Sequence, residues 1–388
     1  MLAHHNALVP ARPAGKFVRG GLAKEALIRP RGVGEEAVLE RNSELSSEAD
    51  HPLHVPVLLT EVMEALGAKD GGTYIDATFG AGGYSAAILR AQEAARLQAT
   101  RLLALDRDRQ AVRDGAELVA QSAGRLTLVE GRFGEIAEIA REHGLDPVDG
   151  VVFDIGVSSM QIDRAERGFS FRHDGPLDMR MGPDGPTAAD LVASESLDTI
   201  ADILRVFGEE RHAGRISRAI VAAREVTPIL TTRALQRIVA SAVPPSRDGI
   251  DPATRTFQAL RIAVNDELGE LLRGLVGAAS LLAPGGRLVV VTFHSLEDRI
   301  VKRFLQGKTA PEPAVSRHLP GEAAPSRAFT RIAGPIGAGP AEIARNPRAR
   351  SAKLRFGERG SAPLATDISA LADLTSLPQR GPGRRRRA

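Results

Sequence analysis

Short apolar runs alternate with stretches of helical periodicity along most of the chain. Five runs have the length and the branched side chains of buried strands, at residues 73–77, 101–105, 126–129, 150–153 and 287–292. Continuous apolar strands separated by helices predict a parallel sheet that is covered on both faces. Ligands of such sheets bind at the carboxyl ends of the strands, so the polar residues there are the first candidates for a site.

More than 130 residues separate the fourth of these strands from the fifth, too many for one crossover helix. Within them, apolar side chains recur at helical spacing, and a long helix is predicted over residues 254–275. We therefore expect a small helical domain inserted into the sheet domain. The apolar positions on which this rests include Ile200, Ile203, Leu204, Phe207, Leu235, Ile238, Val239 and Ala242.

The two ends of the chain and one internal arm lack such periodicity. Residues 1–50 are expected to form a disordered extension. Residues 306–345 are rich in Pro, Ala and Gly and are expected to form a loose arm. Residues 351–356 predict one last strand, placed antiparallel at the sheet. The following segment, 357–388, ends in four consecutive arginines before the last alanine and is expected to be disordered.

Charge is distributed unevenly, although the net charge of the chain is only +3. Residues 51–300 carry 27 basic and 35 acidic side chains, whereas residues 301–388 carry 17 basic and 6 acidic. This asymmetry indicates either an anionic partner such as nucleic acid or simply a solvated basic tail. No apolar run is long enough to span a membrane, and a cytoplasmic location is predicted. The absence of cysteine excludes thiolate metal sites, and no His, Asp or Glu spacing indicates a metal.

A glycine turn follows the first predicted strand, and this strand ends in the carboxylate of Asp76. A helix is expected to begin after the turn, near Ser85, and its unpaired backbone N–H groups can hold a polar ligand. The glycines at 80, 82 and 83 do not continue to the third position of a dinucleotide fingerprint, where Ser85 stands. The turn alone leaves nicotinamide, flavin and methyl-donor ligands open.

Carboxylates at the ends of the first two strands narrow the choice of ligand. Asp106 ends the second strand and suits a ribose diol, because a carboxylate accepts from both hydroxyls. Asp76 can lie near an ammonium or sulfonium group, which a pyrophosphate site would not favour. The pair favours S-adenosylmethionine, although either carboxylate could instead cap a helix. Phe133, just past the third strand, can pack on an adenine or belong to the ordinary core.

Ten segments then carry a specific resemblance. The chain resembles the bacterial family of S-adenosylmethionine-dependent enzymes that methylate the exocyclic N4 amine of a cytidine in small-subunit ribosomal RNA. The resemblance covers about residues 52–357. The segments begin at His54 (HVPVLL), Tyr74 (YIDATFGAGG), Leu105 (LDRDRQA), Phe153 (FDIGVSSMQ), Glu166 (ERGFSF), Gly175 (GPLDMRM), Phe207 (FGEER), Pro252 (PATRTFQALRI), Phe293 (FHSLEDRIVKRF) and Asn346 (NPRARS).

The resemblance implies an α/β fold with a Rossmann-like methyltransferase sheet, mostly parallel, with one antiparallel strand in the edge region. It also implies an organisation in which residues 51–161 and 254–356 bind S-adenosylmethionine and residues 162–253 form an inserted helical substrate-recognition domain. The implied partner is small-subunit ribosomal RNA, at the decoding centre, or an assembling small subunit. A homodimer is compatible with the family.

The family's donor-binding positions carry over onto seven residues of this sequence. One of them departs from the family pattern, because Tyr84 stands where the family usually has His. If that position acts through its backbone, the change is mild, whereas a role for the ring would alter donor affinity. The seven residues are Gly82, Gly83, Tyr84, Asp106, Phe133, Asp154 and Gln161.

Three residues are candidates for the acceptor chemistry. Asp154 can accept a proton from the cytidine amine, because the Pro-Pro motif of DNA amino-methyltransferases is missing at this position, or it can simply hold the donor. His294 is expected to contact the target base, and Ser295 to cap the following helix. Asn265 belongs to a polar stripe with Gln258 and Arg261, which either contacts the RNA or faces solvent. Four arginines are expected at the rim of the acceptor pocket: Arg164, Arg167, Arg172 and Arg180.

Overall fold

The structure, a computed structural model, describes residues 56–69, 71–93, 100–157, 159–244, 251–307, 327–364 and 368–378. These residues belong to the compact unit Leu53–Ala388. The expected extension over residues 1–50 lies outside the described residues. None of the described helices is long and apolar enough to cross a membrane.

Seven strands form one sheet at the centre of the described residues. They are β1 (Thr73–Asp76), β2 (Arg101–Asp106), β3 (Leu126–Glu130), β4 (Val148–Asp154), β5 (Leu282–Thr292), β6 (Phe329–Gly337) and β7 (Lys353–Arg359). The five runs predicted as strands correspond to β1 to β5, and the strand predicted over residues 351–356 corresponds to β7. These predictions are confirmed, with ends that differ by a few residues.

The strands lie in the order β3–β2–β1–β4–β5–β7–β6. Strands β1 to β5 pair in parallel, and β7 runs antiparallel between β5 and β6. The prediction of a mostly parallel sheet with one antiparallel strand in the edge region is therefore confirmed. Chain order reverses between β1 and β4, and this switch point opens a crevice at the carboxyl ends of the strands.

Helices cover the sheet and fill the long connection between β4 and β5. Those of the first half of the chain are α1 (Leu59–Leu66), α2 (Gly83–Glu93), α3 (Arg109–Asp114), α4 (Ala116–Gln121), α5 (Ile136–Glu142) and α6 (Ser159–Asp163). The connection continues with α7 (Ala188–Ser194), α8 (Leu197–Phe207), α9 (Ala213–Val226), α10 (Thr232–Ala242), α11 (Ala253–Asn265) and α12 (Glu267–Leu281). The remaining helices are α13 (Ser295–Leu305), α14 (Pro340–Arg345) and α15 (Ser369–Ala372).

Buried aliphatic side chains pack on both faces of the sheet. Along β1 and β2, Ile75 and Leu103 point into one core cluster, whereas their neighbours Tyr74 and Leu102 point into the other. This alternation is the period of two that a pleated strand imposes. Each fully buried aliphatic side chain stabilises the fold by about 1.5–3 kcal/mol, so the central strands form a rigid support for the crevice at their ends.

The inserted helices are present, but the predicted single helix over residues 254–275 is wrong. Helix α11 ends at Asn265, and α12 begins at Glu267, because Asp266 has a left-handed backbone with φ of 49°. The apolar stripe continues across this break, so its periodicity could not reveal it. The boundaries of the inserted domain at residues 162 and 253 stay a prediction.

The predicted loose arm over residues 306–345 is wrong for its second half. Strand β6 and helix α14 occupy that half, while residues 308–326 lie outside the described part of the chain. Strand β6 pairs only with β7 and shifts its register twice, which makes room for Pro335 in the strand. An edge strand tolerates the glycines and proline that made this segment resemble a loop.

The segment expected to be a disordered tail begins with ordered structure. Strand β7 continues to Arg359, and helix α15 buries Leu371 completely. The arginine-rich end, residues 379–388, lies outside the described residues. Residues 357–378 contain only a few scattered apolar side chains. Their burial depends on tertiary contacts, which a local hydrophobic period does not reveal.

Candidate functional site

A cavity of about 690 Å³ opens at the carboxyl ends of β1, β2 and β4. This volume lies within the range of roughly 300–1,000 Å³ that is typical of small-molecule sites. Strand ends supply Asp106 and Asp154, the turn after β1 supplies Gly83, and helix α11 supplies Phe257 and Gln258. The sheet and the inserted helices therefore face one common space.

Asp76 organises the turn that follows β1. Its Oδ1 accepts from the backbone N–H of Thr78 at 3.2 Å, and its Oδ2 accepts from the Ser85 hydroxyl at 2.7 Å. The carboxylate is completely buried and is not among the residues that line the cavity. Asp76 holds both ends of the turn. Its carboxylate is therefore not placed to contact a ligand cation in the cavity.

The glycines at 82 and 83 are required by close contacts. Gly82 has φ of 77°, and a Cβ atom there would lie 2.8 Å from the Phe79 ring. A Cβ atom on Gly83 would lie 2.1 Å from the ring of Pro56. Helix α2 begins at Gly83, two residues before the predicted start at Ser85. Gly83 lines the cavity, whereas Gly82 does not.

Tyr84 ties the segment before α1 to the glycine turn. Its buried hydroxyl donates a hydrogen bond to the backbone carbonyl of Val57. Tyr84, Val57 and Pro56 all line the cavity. The side chain at this position therefore acts through its ring and hydroxyl as a tether, in addition to any contact that its backbone makes.

Asp106 connects the end of β2 to the same turn. Its Oδ2 accepts from the backbone N–H of Gly80 at 2.8 Å, and its Oδ1 accepts from that of Asp108 at 2.8 Å. Burial raises the pKa of the carboxyl, against the effect of these two hydrogen bonds. Asp106 lines the cavity, and each oxygen retains a lone pair for a ligand.

Phe133 and Gln161 both line the cavity. The Phe133 ring also packs edge-on against Phe153, with ring centroids 5.7 Å apart, so it belongs to the core and to the cavity wall. The Gln161 side-chain amide donates to Oδ2 of Asp108 at 3.0 Å.

Asp108 and Arg167 form an ion pair that the sequence pattern does not reveal. The Arg167 guanidinium donates to Oδ2 of Asp108 at 2.8 Å and to the carbonyls of Arg180 and Met181. Burial alone would raise the pKa of Asp108, but hydrogen bonds from Arg167 and Gln161 outweigh it and lower that pKa. The available signal is the second acidic residue, two positions after the end of β2.

Asp154 ends β4 and has an unusual environment. Its backbone N–H donates to the Thr78 hydroxyl at 2.6 Å, and its Oδ1 is buried with no hydrogen-bond partner among the described residues. Burial, followed by the nearby carboxylates of Asp76 and Glu297, raises its pKa to about 8. Burial also raises the pKa of Asp76 to about 6. A cation that enters the cavity would relieve this repulsion.

His294 lines the cavity at the start of α13. The capping box that was predicted at Ser295 is wrong by one residue, because His294 is the cap and Glu297 completes the box. Ser295 instead donates to Glu209 at 2.7 Å. The His294 Nδ1 accepts from the Glu297 backbone N–H, and its Nε2 lies 2.8 Å from Oε1 of Glu297.

Gln258 and Arg261 line the cavity, but Asn265 does not. The Asn265 side chain accepts from the Met181 backbone N–H at 2.8 Å and donates to the Met179 carbonyl at 2.8 Å. Its side chain is almost completely buried, and its amide is committed to the backbone. The structure therefore does not bring Asn265 to the acceptor, and its role is to hold the segment around Met179.

Glu267, His294 and Glu297 lie close enough together to hold a metal ion. Both oxygens of Glu267, however, accept from Arg261 at 2.8 Å. Burial would raise the pKa of Glu297, but the charges of His294 and Arg261 outweigh it and lower that pKa. The cluster is thus an ion-pair network in which Arg261 supplies the positive charge.

Strand order, the glycine turn after an acidic strand end and the carboxylate that ends β2 together define a Rossmann-like methyltransferase fold. Comparison with known proteins agrees with this class. A sequence model of the MraW methylase family matches residues 51–360. The chain belongs to the MraW methylase family.

Two relatives with high sequence identity to this chain share the same protein name. The chain is 55% identical over 334 residues to a protein from Xanthobacter autotrophicus, with 86% of this chain and 95% of the relative covered. It is 58% identical over 315 residues to one from Bradyrhizobium diazoefficiens, with 81% and 94% covered. Both relatives are named ribosomal RNA small subunit methyltransferase H.

The tether at Tyr84 can be tested against the other tyrosine of the chain. Tyr84→Phe leaves the Val57 carbonyl without its partner, and we expect it to lower the free energy of unfolding by about 1–3 kcal/mol. Tyr74→Phe, whose hydroxyl contacts the Lys69 backbone away from the cavity, is the matched control. Calorimetry with S-adenosylmethionine should show weaker binding for Tyr84→Phe only. Equal affinities would contradict a tether that shapes the cavity.

Ionisation of Asp154 should appear in the pH dependence of stability. Because folding raises its pKa from the ordinary value of 3.8 to about 8, the carboxyl stabilises the ligand-free fold at low pH. That contribution is lost as the pH rises from about 4 through 8. Asp154→Asn should therefore gain stability relative to the wild type as the pH increases, measured by urea unfolding.

The control is Glu138→Gln, which removes an exposed carboxylate of α5. Its unfolding free energy should follow that of the wild type across the same pH interval. If Asp154→Asn also runs parallel to the wild type, the carboxyl of Asp154 is not neutral in the folded protein.

Proposed function

We propose that this protein transfers a methyl group from S-adenosylmethionine to the exocyclic N4 amine of a cytidine in small-subunit ribosomal RNA. The observation that carries the proposal is the common cavity, which the ends of β2 and β4 share with helix α11. A donor held by the sheet and a base held by the inserted helices would meet there. The names of the relatives support the same substrate class.

The donor half of the cavity is proposed to consist of the residues around the glycine turn. S-adenosylmethionine supplies the electrophilic methyl carbon when it is bound, together with a ribose diol, an adenine ring and positive charge. The unpartnered carboxylate oxygen of Asp154 and the carboxylate of Asp106 fit such a ligand. The residues proposed to hold it are Gly82, Gly83, Tyr84, Asp106, Phe133, Asp154 and Gln161.

Each of these residues has a proposed task. Asp106 accepts from the ribose hydroxyls, and the Phe133 ring packs on the adenine. Gly83 and Tyr84 shape the floor of the cavity, with Gly82 behind them providing the turn. Gln161 keeps the Asp108 loop in place through its hydrogen bond.

The acceptor half is proposed to lie among aromatic side chains that face the same space. Phe171 and Phe257 pack edge-on, with ring centroids 4.9 Å apart, and both line the cavity with Phe293 and His294. A base that has left its stack in RNA can pack against such rings. His294, oriented by Glu297, is proposed to contact the edge of that base.

Asp154 is proposed to accept the proton that the amine loses. The lone pair of a cytosine amine is delocalised into the ring, so nitrogen must shed a proton as its bond to the methyl carbon forms. The carbon–sulfur bond of the donor would break in the same step, with the thioether as leaving group. A general base works best when its pKa lies near the working pH, and burial brings Asp154 to about 8. Positive charge nearby favours its ionised form. In the alternative, Asp154 only holds the donor.

Label transfer tests the proposed function. The protein is incubated with S-adenosylmethionine labelled in its methyl group and with small ribosomal subunits from cells that lack the modification. We expect label in the RNA, and mass spectrometry of the digested RNA should identify N4-methylcytidine. Duplex DNA serves as the control acceptor. Absence of label in subunits, assembly intermediates and free RNA would overturn the proposal, as would methylation at another atom.

The ribose assignment predicts the effect of Asp106→Asn. Loss of a charge-assisted hydrogen bond costs about 1.5–3 kcal/mol, so donor affinity should fall roughly ten- to a hundredfold by calorimetry. Asp149→Asn is the matched control, because this carboxylate also accepts a backbone N–H, from Thr73, but does not line the cavity. Similar affinities for the two variants would contradict a contact between Asp106 and the donor.

The partner and the location follow from the proposed substrate. Bacterial ribosomal RNA is folded and assembled in the cytoplasm, and the protein is proposed to act there on RNA or on an assembling small subunit. A homodimer stays a prediction.

A further inference from the structure

Six arginines line the cavity among the described residues, and they fall into two groups. Four are paired with carboxylates. Arg167 contacts Asp108 at 2.8 Å, and Arg348 contacts Asp163 at 2.5 Å. The other two paired arginines, Arg107 and Arg261, contact Glu270 and Glu267 respectively.

Arg164 and Arg172 form the second group. Both are exposed, and neither guanidinium has a hydrogen bond or an ion pair to any residue that the structure describes. Only the backbone N–H of Arg172 is engaged, by the hydroxyl of Ser170. The cavity therefore carries two guanidinium groups whose charge is not neutralised by a neighbouring carboxylate.

Fold context places Arg172 beside the acceptor half of the cavity and Arg164 three residues after Gln161. Arg172 directly follows Phe171, whose ring packs against Phe257 in the cavity wall. Arg164 lies between helix α6, which carries Gln161, and the short helical turn at Ala165–Arg167. Both positions belong to the connection that leads from β4 into the inserted helices, rather than to the donor-binding turn.

Arg180, by contrast, is an internal support. It makes two hydrogen bonds of 2.8 Å to Asp178 and another to the Pro183 carbonyl. Arg167 donates to the carbonyls of Arg180 and Met181. Arg180 and Arg167 together stabilise the loop that contacts Asn265. The four arginines that the sequence places at one rim thus have different tasks.

We propose that Arg164 and Arg172 bind backbone phosphates of single-stranded RNA next to the target nucleotide, a proposal that rests on the proposed function. A guanidinium binds phosphate through paired hydrogen bonds, and such contacts set position without reading sequence. Base splaying requires the strand to be held beside the extruded nucleotide. Two unneutralised cations that line the cavity, on the connection from β4 into the inserted helices, supply that hold.

The test compares a double variant with a charge-matched control. Arg164→Gln/Arg172→Gln is compared with Arg218→Gln/Arg237→Gln, which removes two exposed arginines from α9 and α10 that do not line the cavity. Binding of a fluorescently labelled small-subunit ribosomal RNA transcript is measured over a series of salt concentrations. Donor affinity is measured separately by calorimetry with S-adenosylmethionine.

For the first double variant, we expect RNA affinity to fall about tenfold or more at low salt. The slope of log affinity against log salt should become shallower by about 1.4, because each phosphate contact on a single strand contributes about 0.7. Donor affinity should not change. In methyl-transfer assays, KM for RNA should rise while kcat at saturating RNA is largely retained.

Two outcomes would overturn the inference. One is a salt slope equal to that of the Arg218→Gln/Arg237→Gln control, and the other is a loss confined to kcat. The wild-type assay separates this inference from the proposed function. If the wild type methylates RNA and the slopes are equal, only the arginine inference fails. If the wild type transfers no label, the proposed function fails, whereas the RNA slopes still report on the arginines.

Discussion

The burial of Asp154 beside the carboxylate of Asp76 is the constraint on which the site depends. These two carboxylates end adjacent parallel strands and are both withdrawn from water, so the fold cannot carry two negative charges there without compensation. Asp76 is stabilised by Ser85 and by the Thr78 N–H, and it stays part of the framework. Asp154 has no such partner for its Oδ1, and its charge is left to whatever enters the cavity.

Hydrogen bonds between the loops then convert a general α/β crevice into a shaped site. Asp106 joins the end of β2 to the glycine turn, and Asp108 joins the next residues to Arg167 and Gln161. Tyr84 joins the turn to Val57. Each link connects segments that are far apart in sequence, so the positions of the cavity walls depend on one another. A substitution at one linking residue is therefore expected to shift cavity residues that it does not contact.

Most of the sheet could be predicted from the sequence, because buried parallel strands leave continuous apolar runs. Strand β6 could not, since an edge strand with glycines and a proline has the composition of a loop. The break at Asp266 was hidden by an apolar stripe that continues through it. The candidate site followed a similar rule. Asp106 and Asp154 at strand ends reach the cavity, whereas the strand-end residue Asp76 does not. Asn265, on the polar stripe of α11, is bound to backbone groups.

The position of β7 has a consequence for how the protein is made. This strand is the last among the described residues but lies between β5 and β6. The residues just before it, Asn346, Arg348 and Ser351, line the cavity. During synthesis, the edge of β5 that faces β7 stays unpaired until the residues of β7 have left the ribosome. The nascent protein therefore exposes a strand edge with unpaired backbone groups. At that stage its cavity still lacks the lining residues that come just before β7. Completion of this wall is thus coupled to the pairing of β7 with β5.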